Sequence, residues 1–389
     1  MRGTRPARSI GGCRRSGEAA SLRRAGQASP QRRRRGGPYL VCRAGFRRPR
    51  HAARAGHRAF HSRVRSRPEM YLGSASCQRG ALRGRIGRVK LGLFLPLAGD
   101  PARLRDLLAV AATTAERTGF HSLWFAEHVA LFDGPASRYP YSADGSFPLS
   151  GEAGILEPFL AIGFAAALTS RIRLGTGICL VPQRPPLYTA KQVADADVLS
   201  GGRLDFGVGI GWLREEFEAL GVPFDDRAAR CREYLAAMRA LWTEPLARHD
   251  GPLLRVPPLR MFPKPVQKPH PPIVFGGESD AALRRVADLG QGWYGFGLLP
   301  AEAAARIAAL DRLLARRGRT PASVEVSVCP YLEPARDAAA LRGYAEAGAD
   351  QVVYMVGTRG PAAIATEIEE LAAALMPVAE RLGIPARRR

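Results

Sequence analysis

Cysteine is scarce in this 389-residue sequence, and its scarcity excludes two classes of site. The six cysteines include no C-x-x-C pair. A disulfide framework or a zinc site therefore has no support. Long apolar runs are also missing: the longest, near residues 159–168, is about half of the roughly 20 residues that span a bilayer. We expect a reduced, cytoplasmic protein with no metal site and no membrane partner.

Two nucleotide-binding signatures are not found where they would act. The turn after the first predicted strand contains no G-x-G-x-x-G, and the glycine-rich run that begins at Gly207 has Trp212 where the third glycine would fall. The phosphate-binding pattern G-x-x-x-x-G-K-[ST] does not occur. The sequence therefore supports neither a Rossmann dinucleotide site nor a P-loop.

Excess positive charge is confined to the beginning of the chain. Residues 1–88 carry 24 Arg, no Lys and two acidic residues, whereas the remaining 301 residues hold 34 basic and 33 acidic groups. This distribution excludes a uniformly basic nucleic-acid-binding domain, because such a domain clusters its charge on a fold. Residues 1–88 also show no helical or strand periodicity, and Ala is the commonest of their apolar residues. Such a segment buries too little apolar surface to offset the entropy that it would lose on folding, so we predict a disordered leader.

Three interpretations of this leader are open. It could be an Arg-rich tail that binds nucleic acid, which is the non-enzyme alternative for the whole protein, or an organellar transit peptide. It could also result from a translation start assigned too far upstream. Arg outnumbers Lys 54 to 4 across the chain, as expected of a very GC-rich genome, and the first predicted strand begins at Val89. We favour the third interpretation and expect a functional domain over residues 89–389 with no nucleic-acid partner.

From Val89 onward, short apolar runs alternate with amphipathic helices. The first helix has clear end signals, with Asp100 as N-cap, Pro101 in its first turn and Gly119 as its stop. Eight strands, each followed by a helix, in about 300 residues predict a TIM (β/α)₈ barrel, with a doubly wound sheet as the alternative. The eight runs are Val89–Leu97, His121–His128, Ile172–Val181, Leu204–Gly211, Pro272–Gly277, Gly292–Gly297, Val324–Leu332 and Gln351–Gly357.

Two connections are too long to be simple links between a strand and a helix. They cover residues 129–157, after the second run, and residues 244–271, before the fifth. Long loops in a compact barrel usually cover a ligand. We therefore predict loop insertions over a binding site.

In such a barrel the reactive groups lie at the C-terminal ends of the strands. Glu127 and His128 end the second run. A carboxylate and an imidazole at this place can act as proton donor, base or cofactor anchor, or can form a hydrogen-bonded pair that closes the rim. Gly175 and Gly177 interrupt the third run, which predicts a bulge or a close approach to the backbone.

The fifth run ends in a glycine pair that could bind a phosphate. Gly276 and Gly277 precede Ser279, which is the predicted N-cap of the next helix. Exposed backbone amides at a helix N-terminus bind anions. A helix cap without any anion is the alternative.

Taken together, these motifs resemble those of the luciferase-like flavin and deazaflavin oxidoreductases. The resemblance covers Lys90–Leu375, and its most specific parts are residues 175–178, 197–204 and 207–212. It implies a TIM-like barrel that binds a flavin or coenzyme F420, a deazaflavin, across its C-terminal face. The family's phosphate-side loop matches Gly276, Gly277 and Ser279.

The resemblance also implies roles for residues around the cofactor ring. The family's bulge, which often contains a non-proline cis peptide bond, would fall at Gly177-Ile178 and back the ring. Its acidic residue followed by histidine matches Glu127-His128, as cofactor-facing and catalytic groups, and Trp212 would lie near the substrate.

The resemblance leaves the cofactor between two candidates. Many deazaflavin members carry Asp-His at the second strand, and Glu-His is found on the flavin side as well. The overall pattern looks most like the actinobacterial-type deazaflavin group, so we favour F420, with an FMN-dependent monooxygenase as the alternative. We expect hydride transfer to or from a small organic substrate by a homodimer.

Overall fold

The computed structural model describes residues 88–357 and 359–383. The leader, and with it the predicted disorder and the nucleic-acid alternative, lies outside the described residues. Eight parallel strands form a closed barrel, and a helix follows each of them. The predicted TIM barrel is therefore confirmed.

The barrel strands lie side by side in chain order. They are β1 (Lys90–Leu95), β2 (Ser122–Phe125), β3 (Arg173–Thr176) with its continuation β4 (Cys179–Leu180), β5 (Leu204–Gly209), β8 (Ile273–Gly276), β9 (Gly292–Phe296), β10 (Glu325–Cys329) and β11 (Gln351–Met355). The pairing of β1 with β11 closes the ring, and β3 pairs with β5. A cis peptide bond joins Gly177 to Ile178 between β3 and β4, at the place that the resemblance implied.

The helices surround the strands. They are α1 (Pro101–Arg117), α2 (Pro158–Leu168), α3 (Pro186–Leu199), α4 (Arg214–Ala219), α5 (Arg227–Thr243), α6 (Asp280–Leu289), α7 (Pro300–Ala315), α8 (Ala338–Ala347) and α9 (Pro361–Ala379). Among the described residues, no helix is both long and apolar enough to cross a membrane.

Both long connections are present. The second contains an antiparallel hairpin, β6 (Ala247–Asp250) and β7 (Arg255–Leu259), which the sequence analysis did not predict. The first has irregular backbone, and Ile155 near its end forms an isolated bridge with Ala98. It thus returns to the C-terminal end of β1.

Side chains fill the barrel interior below its C-terminal mouth. Phe94, Trp124, Tyr294 and Val353 are buried there in one cluster. A Cβ atom on Gly175 would lie 2.4 Å from Cε3 of Trp124, so only glycine leaves room for this indole ring. The predicted close approach at Gly175 is confirmed, and its purpose is packing.

Ion pairs occupy the opposite, N-terminal end. Lys90 Nζ lies 2.9 Å from Glu325 Oε2, and Arg173 Nη2 lies 2.5 Å from Asp205 Oδ1. Groups at this end of a TIM barrel stabilise the fold, which leaves the other end for chemistry.

The 197–204 motif also has a structural function. Asp197 is fully buried and accepts hydrogen bonds from Gln267, 2.8 Å from the backbone nitrogen and 2.7 Å from Nε2. Arg203 donates to the carbonyl oxygens of Thr169 and Ile172. The motif therefore anchors the connections that lead into β3 and β8.

Candidate active site

A cavity of about 630 Å³ opens at the C-terminal end of the barrel. Most of its wall is apolar or aromatic, which is usual for a site that binds a small organic molecule. All eight site residues predicted from the sequence line it: Glu127, His128, Gly177, Ile178, Trp212, Gly276, Gly277 and Ser279. The structure thus brings these residues together, and their individual roles follow from their contacts.

Glu127 and His128 do not form a pair with each other. The Glu127 carboxylate is buried, forms an ion pair with Arg184 and accepts a hydrogen bond from the backbone nitrogen of Leu180. Arg184 also donates to Glu157, 2.9 Å away. Glu127 therefore ties β4 and the following turn to the end of β2.

The charges of this pair depend on each other. Burial raises the pKa of Glu127, and the nearby Arg184 guanidinium opposes that rise. Burial acts to lower the pKa of Arg184, yet Glu127 and Glu157 raise it above the ordinary value. Loss of Arg184 would leave the Glu127 charge buried and uncompensated, and loss of Glu127 would leave Arg184 with Glu157 as its remaining ion-pair partner.

His128 pairs instead with Glu216 of α4. The distance between His128 Nδ1 and Glu216 Oε2 is 3.2 Å, and Glu216 also accepts from Gln183 Nε2 at 3.0 Å and from the Val129 nitrogen at 2.6 Å. Burial acts to raise the pKa of Glu216, but these hydrogen bonds hold it below its ordinary value. An ionised carboxylate only accepts, so Nδ1 of His128 carries a proton and Nε2 is left for the cavity.

Aromatic rings cover His128. The ring of Phe147 lies 5.2 Å from the imidazole and that of Trp212 lies 5.9 Å from it, between centroids. Tyr139 packs on both Phe147 and Trp212, at 4.9 and 5.1 Å. Phe147 and Tyr139 belong to the first long connection, so this loop insertion covers the cavity as predicted.

Ile178 forms another part of the wall, and glycines make room for it. A Cβ atom on Gly276 would lie 2.5 Å from Ile178 Cδ1, and one on Gly209 would lie 2.3 Å from the same atom. Ser279 caps α6, because its Oγ accepts from the Ala282 nitrogen at 3.2 Å. The predicted N-cap is therefore confirmed, whereas its binding of an anion stays a prediction.

Arg285 is a charged group that the sequence analysis missed. It lies on α6, lines the cavity and is only 8% exposed. Within the described part of the chain, its guanidinium forms no hydrogen bond or ion pair. Burial, together with the neighbouring cations Arg232 and Arg227, lowers its pKa. A buried cation on the wall of a cavity that also includes the residues at the start of α6 is a candidate anion-binding group.

Glu278 is a second missed group, in the turn before α6. Its Oε1 accepts from the Phe296 nitrogen at 2.8 Å, and its carboxyl group is hydrogen-bonded to Tyr141. Burial raises the pKa of Glu278 to about 7, although both hydrogen bonds lower it. A carboxyl group that titrates near neutral pH inside a cavity is a candidate functional group.

Comparisons with known proteins show which family the chain resembles. The profile of the luciferase-like monooxygenase family matches residues 89–380. An uncharacterized protein of Mycobacterium tuberculosis is 34% identical over 272 residues, which is 69% of this chain and 93% of that protein. An FMNH(2)-dependent dimethylsulfone monooxygenase of Pseudomonas putida is 37% identical over 131 residues, 33% of this chain and 36% of the relative.

A solved structure shares the fold. The coenzyme F420-dependent tetrahydromethanopterin reductase from Methanopyrus kandleri superposes with a TM-score of 0.58 at 16% identity, over 75% of this chain and 99% of the other. At this identity the likeness concerns the fold alone. Similar proteins thus include one named for FMN and one named for F420.

Proposed function

This chain belongs to the luciferase-like monooxygenase family and is an enzyme, and we propose that it uses coenzyme F420 for hydride transfer, from the reduced cofactor to a small organic substrate or from the substrate to the oxidised cofactor. The observation that carries this proposal is the cavity at the barrel mouth. It combines an apolar wall, the Gly177-Ile178 bulge and a buried cation, Arg285, that has no anion within the described residues. A ring with an anionic tail matches that combination.

The residues around the cavity fit such a cofactor. Gly177 and Ile178 would back its ring, and Arg285 with the amides at the start of α6 would bind its phosphate group. When bound, the deazaflavin supplies the hydride-carrying carbon, and the protein contributes orientation and electrostatics. Arg285 would therefore bind the phosphate group together with the loop of Gly276, Gly277 and Ser279.

The opposite wall of the cavity would act on the substrate. His128 would hold or accept a proton at Nε2, because Glu216 occupies Nδ1. Trp212 and Phe147 would exclude water from the reacting groups. Their apolar surfaces favour an organic, fairly apolar substrate.

An FMN-dependent monooxygenase is the second candidate. The pair Glu127-His128 is compatible with it, and so is the partial identity to the Pseudomonas putida enzyme. The motif pattern of the whole chain supports the deazaflavin. The two candidates share the same cavity and differ in the cofactor that binds there.

Binding of the two cofactors, measured side by side, tests the proposal. Quenching of cofactor fluorescence on addition of the protein gives both dissociation constants. We expect F420 to bind in the micromolar range or better, and FMN more weakly. Tighter binding of FMN together with oxygen-dependent turnover would instead make the protein a monooxygenase.

Substitution of Arg285 tests the phosphate site. We expect Arg285→Met to weaken cofactor binding by about 10- to 100-fold, because a charge-assisted hydrogen bond contributes about 1.5–3 kcal/mol. Arg284→Met is the matched control, since Arg284 is the adjacent residue of α6 and is exposed. An equal loss in both variants would show that only the general positive charge matters.

We also propose that the protein is a homodimer that associates through α2 and α3. These helices pack side by side and expose Leu160, Tyr188 and Leu199, which are 75%, 74% and 69% exposed. Large apolar side chains that stay exposed on two packed helices support an interaction surface there. Light scattering should give twice the monomer mass, and Leu160→Glu with Tyr188→Glu should shift the protein to monomer. A monomeric wild-type protein would contradict this assembly.

A further inference from the structure

Glu278 is a buried carboxyl group on the cavity wall. The charged and titratable groups that face it are Tyr141 of the first long connection, Cys329 at the end of β10 and Arg306 of α7. Arg306 is already paired, with Nη2 2.7 Å from Asp280 Oδ1. Among the described residues, Glu278 has no ion-pair partner. Its ionised form is therefore compensated mainly by hydrogen bonds, with a smaller contribution from the charge of Arg306.

Two donors hold the carboxyl group in place. The Phe296 nitrogen donates to Oε1 at 2.8 Å, and Tyr141 forms a side-chain hydrogen bond with the same carboxyl group. The ring of Tyr141 packs on that of Phe296, 4.9 Å apart, so the phenol is itself fixed. Glu278 is thus oriented by a strand on one side and by the covering loop on the other.

Filling the cavity would remove the water near this group. An ionised carboxylate without a cation then becomes more costly, so a bound ligand favours the neutral acid. The neutral acid has an O–H group that needs an acceptor; the Phe296 nitrogen only donates, whereas the Tyr141 oxygen can donate or accept. A ligand that offers an acceptor oxygen to this O–H group would satisfy it.

We propose that Glu278 contacts the ligand in its protonated form and donates a hydrogen bond to a ligand carbonyl oxygen. The inference rests on the proposed function, because both the ring of a deazaflavin and an electrophilic organic substrate carry carbonyl groups. Carboxylic acids that are kept neutral in apolar sites serve as hydrogen-bond donors in this way. Glu278 would then select ligands that carry a carbonyl group.

Proton-linked binding tests this inference. In a first series, the dissociation constant of oxidised F420 is measured between pH 5.5 and 9 for the full chain and for Glu278→Gln. In a second series, the dissociation constant of cyclohexanone, a ketone probe, is measured in the same way on the F420-loaded proteins. We expect the wild-type constant to rise about tenfold per pH unit above about pH 7, as linkage requires for a ligand that binds the protonated form. Glu278→Gln keeps a donor and does not ionise, so its constant should lack this rise. Titration of the cofactor itself affects both proteins equally.

Tyr141→Phe provides an independent variant that leaves the carboxyl group in place. The hydrogen bond from Tyr141 lowers the pKa of Glu278, so its removal should move the transition to higher pH. If the dissociation constant of F420 rises with pH in the wild type and not in Glu278→Gln, the carbonyl group belongs to the cofactor. If only the dissociation constant of cyclohexanone behaves in this way, the carbonyl group belongs to the substrate. If the dissociation constants of the wild type and of Glu278→Gln change with pH in the same way in both series, the inference is wrong and the proposed function is unaffected. Absence of F420 and FMN binding at every pH overturns the proposed function and this inference with it.

Discussion

His128→Ala should lower turnover by about 10²–10⁴-fold, the range for loss of a general acid or base. The physical reason is the fixed tautomer: Glu216 accepts at Nδ1, so Nε2 is the only ring atom that can exchange a proton with a substrate in the cavity. Cofactor affinity should change little, because the cation and the helix N-terminus assigned to the phosphate lie on α6. The measurement is the rate of cofactor oxidation or reduction by an identified substrate, with cofactor affinity in parallel.

Glu216→Gln is the companion variant. It keeps an acceptor for the Val129 nitrogen but removes the charge that holds His128, so we expect a smaller loss of turnover than for His128→Ala. If His128→Ala kept full turnover and only lowered the melting temperature, the imidazole would have a structural role. The proton would then come from the loop that covers the cavity or from water.

Glu127→Ala should lower the free energy of unfolding by about 3 kcal/mol, near the low end of the range for breaking a buried ion pair. Arg184 would lose its buried partner and keep only Glu157 and Gln192, at 2.9 and 2.8 Å. The backbone nitrogen of Leu180 would lose its acceptor as well. Denaturant unfolding monitored by tryptophan fluorescence measures the change.

Two controls separate this structural role from cofactor binding. Glu152→Ala removes an exposed glutamate and should leave stability within about 0.5 kcal/mol. The double variant Glu127→Ala with Arg184→Met should recover part of the loss, because it removes both buried charges. Unchanged stability of Glu127→Ala with a large loss of cofactor affinity would restore the cofactor-facing role that the family resemblance implies.

The barrel could be predicted because its strands are buried on both faces and therefore read as continuous apolar runs. The β6–β7 hairpin could not, since β7 contains two adjacent prolines and most of its residues are exposed or half-buried. That composition is typical of a connector, and only pairing with β6 makes the segment a strand.

The sequence predicted which residues line the site, but it did not predict which residues contact each other. Glu127 and Arg184 are separated by 57 positions, and no local pattern connects them. Adjacent residues at a strand end point in opposite directions, which could have shown that Glu127 and His128 would find different partners. Arg284 and Arg285 are neighbours on a helix, and the sequence did not show which of them faces the barrel.

A crystal structure of the protein grown with F420 tests the central claim most directly. We expect the deazaflavin ring in the cavity, against Gly177 and Ile178, with its phosphate group within hydrogen-bonding distance of Arg285 and the start of α6. His128 Nε2 should face the open side of the ring. A cofactor bound elsewhere, or an anion site at Arg285 that the bound cofactor leaves empty, would contradict the assignment of this cavity.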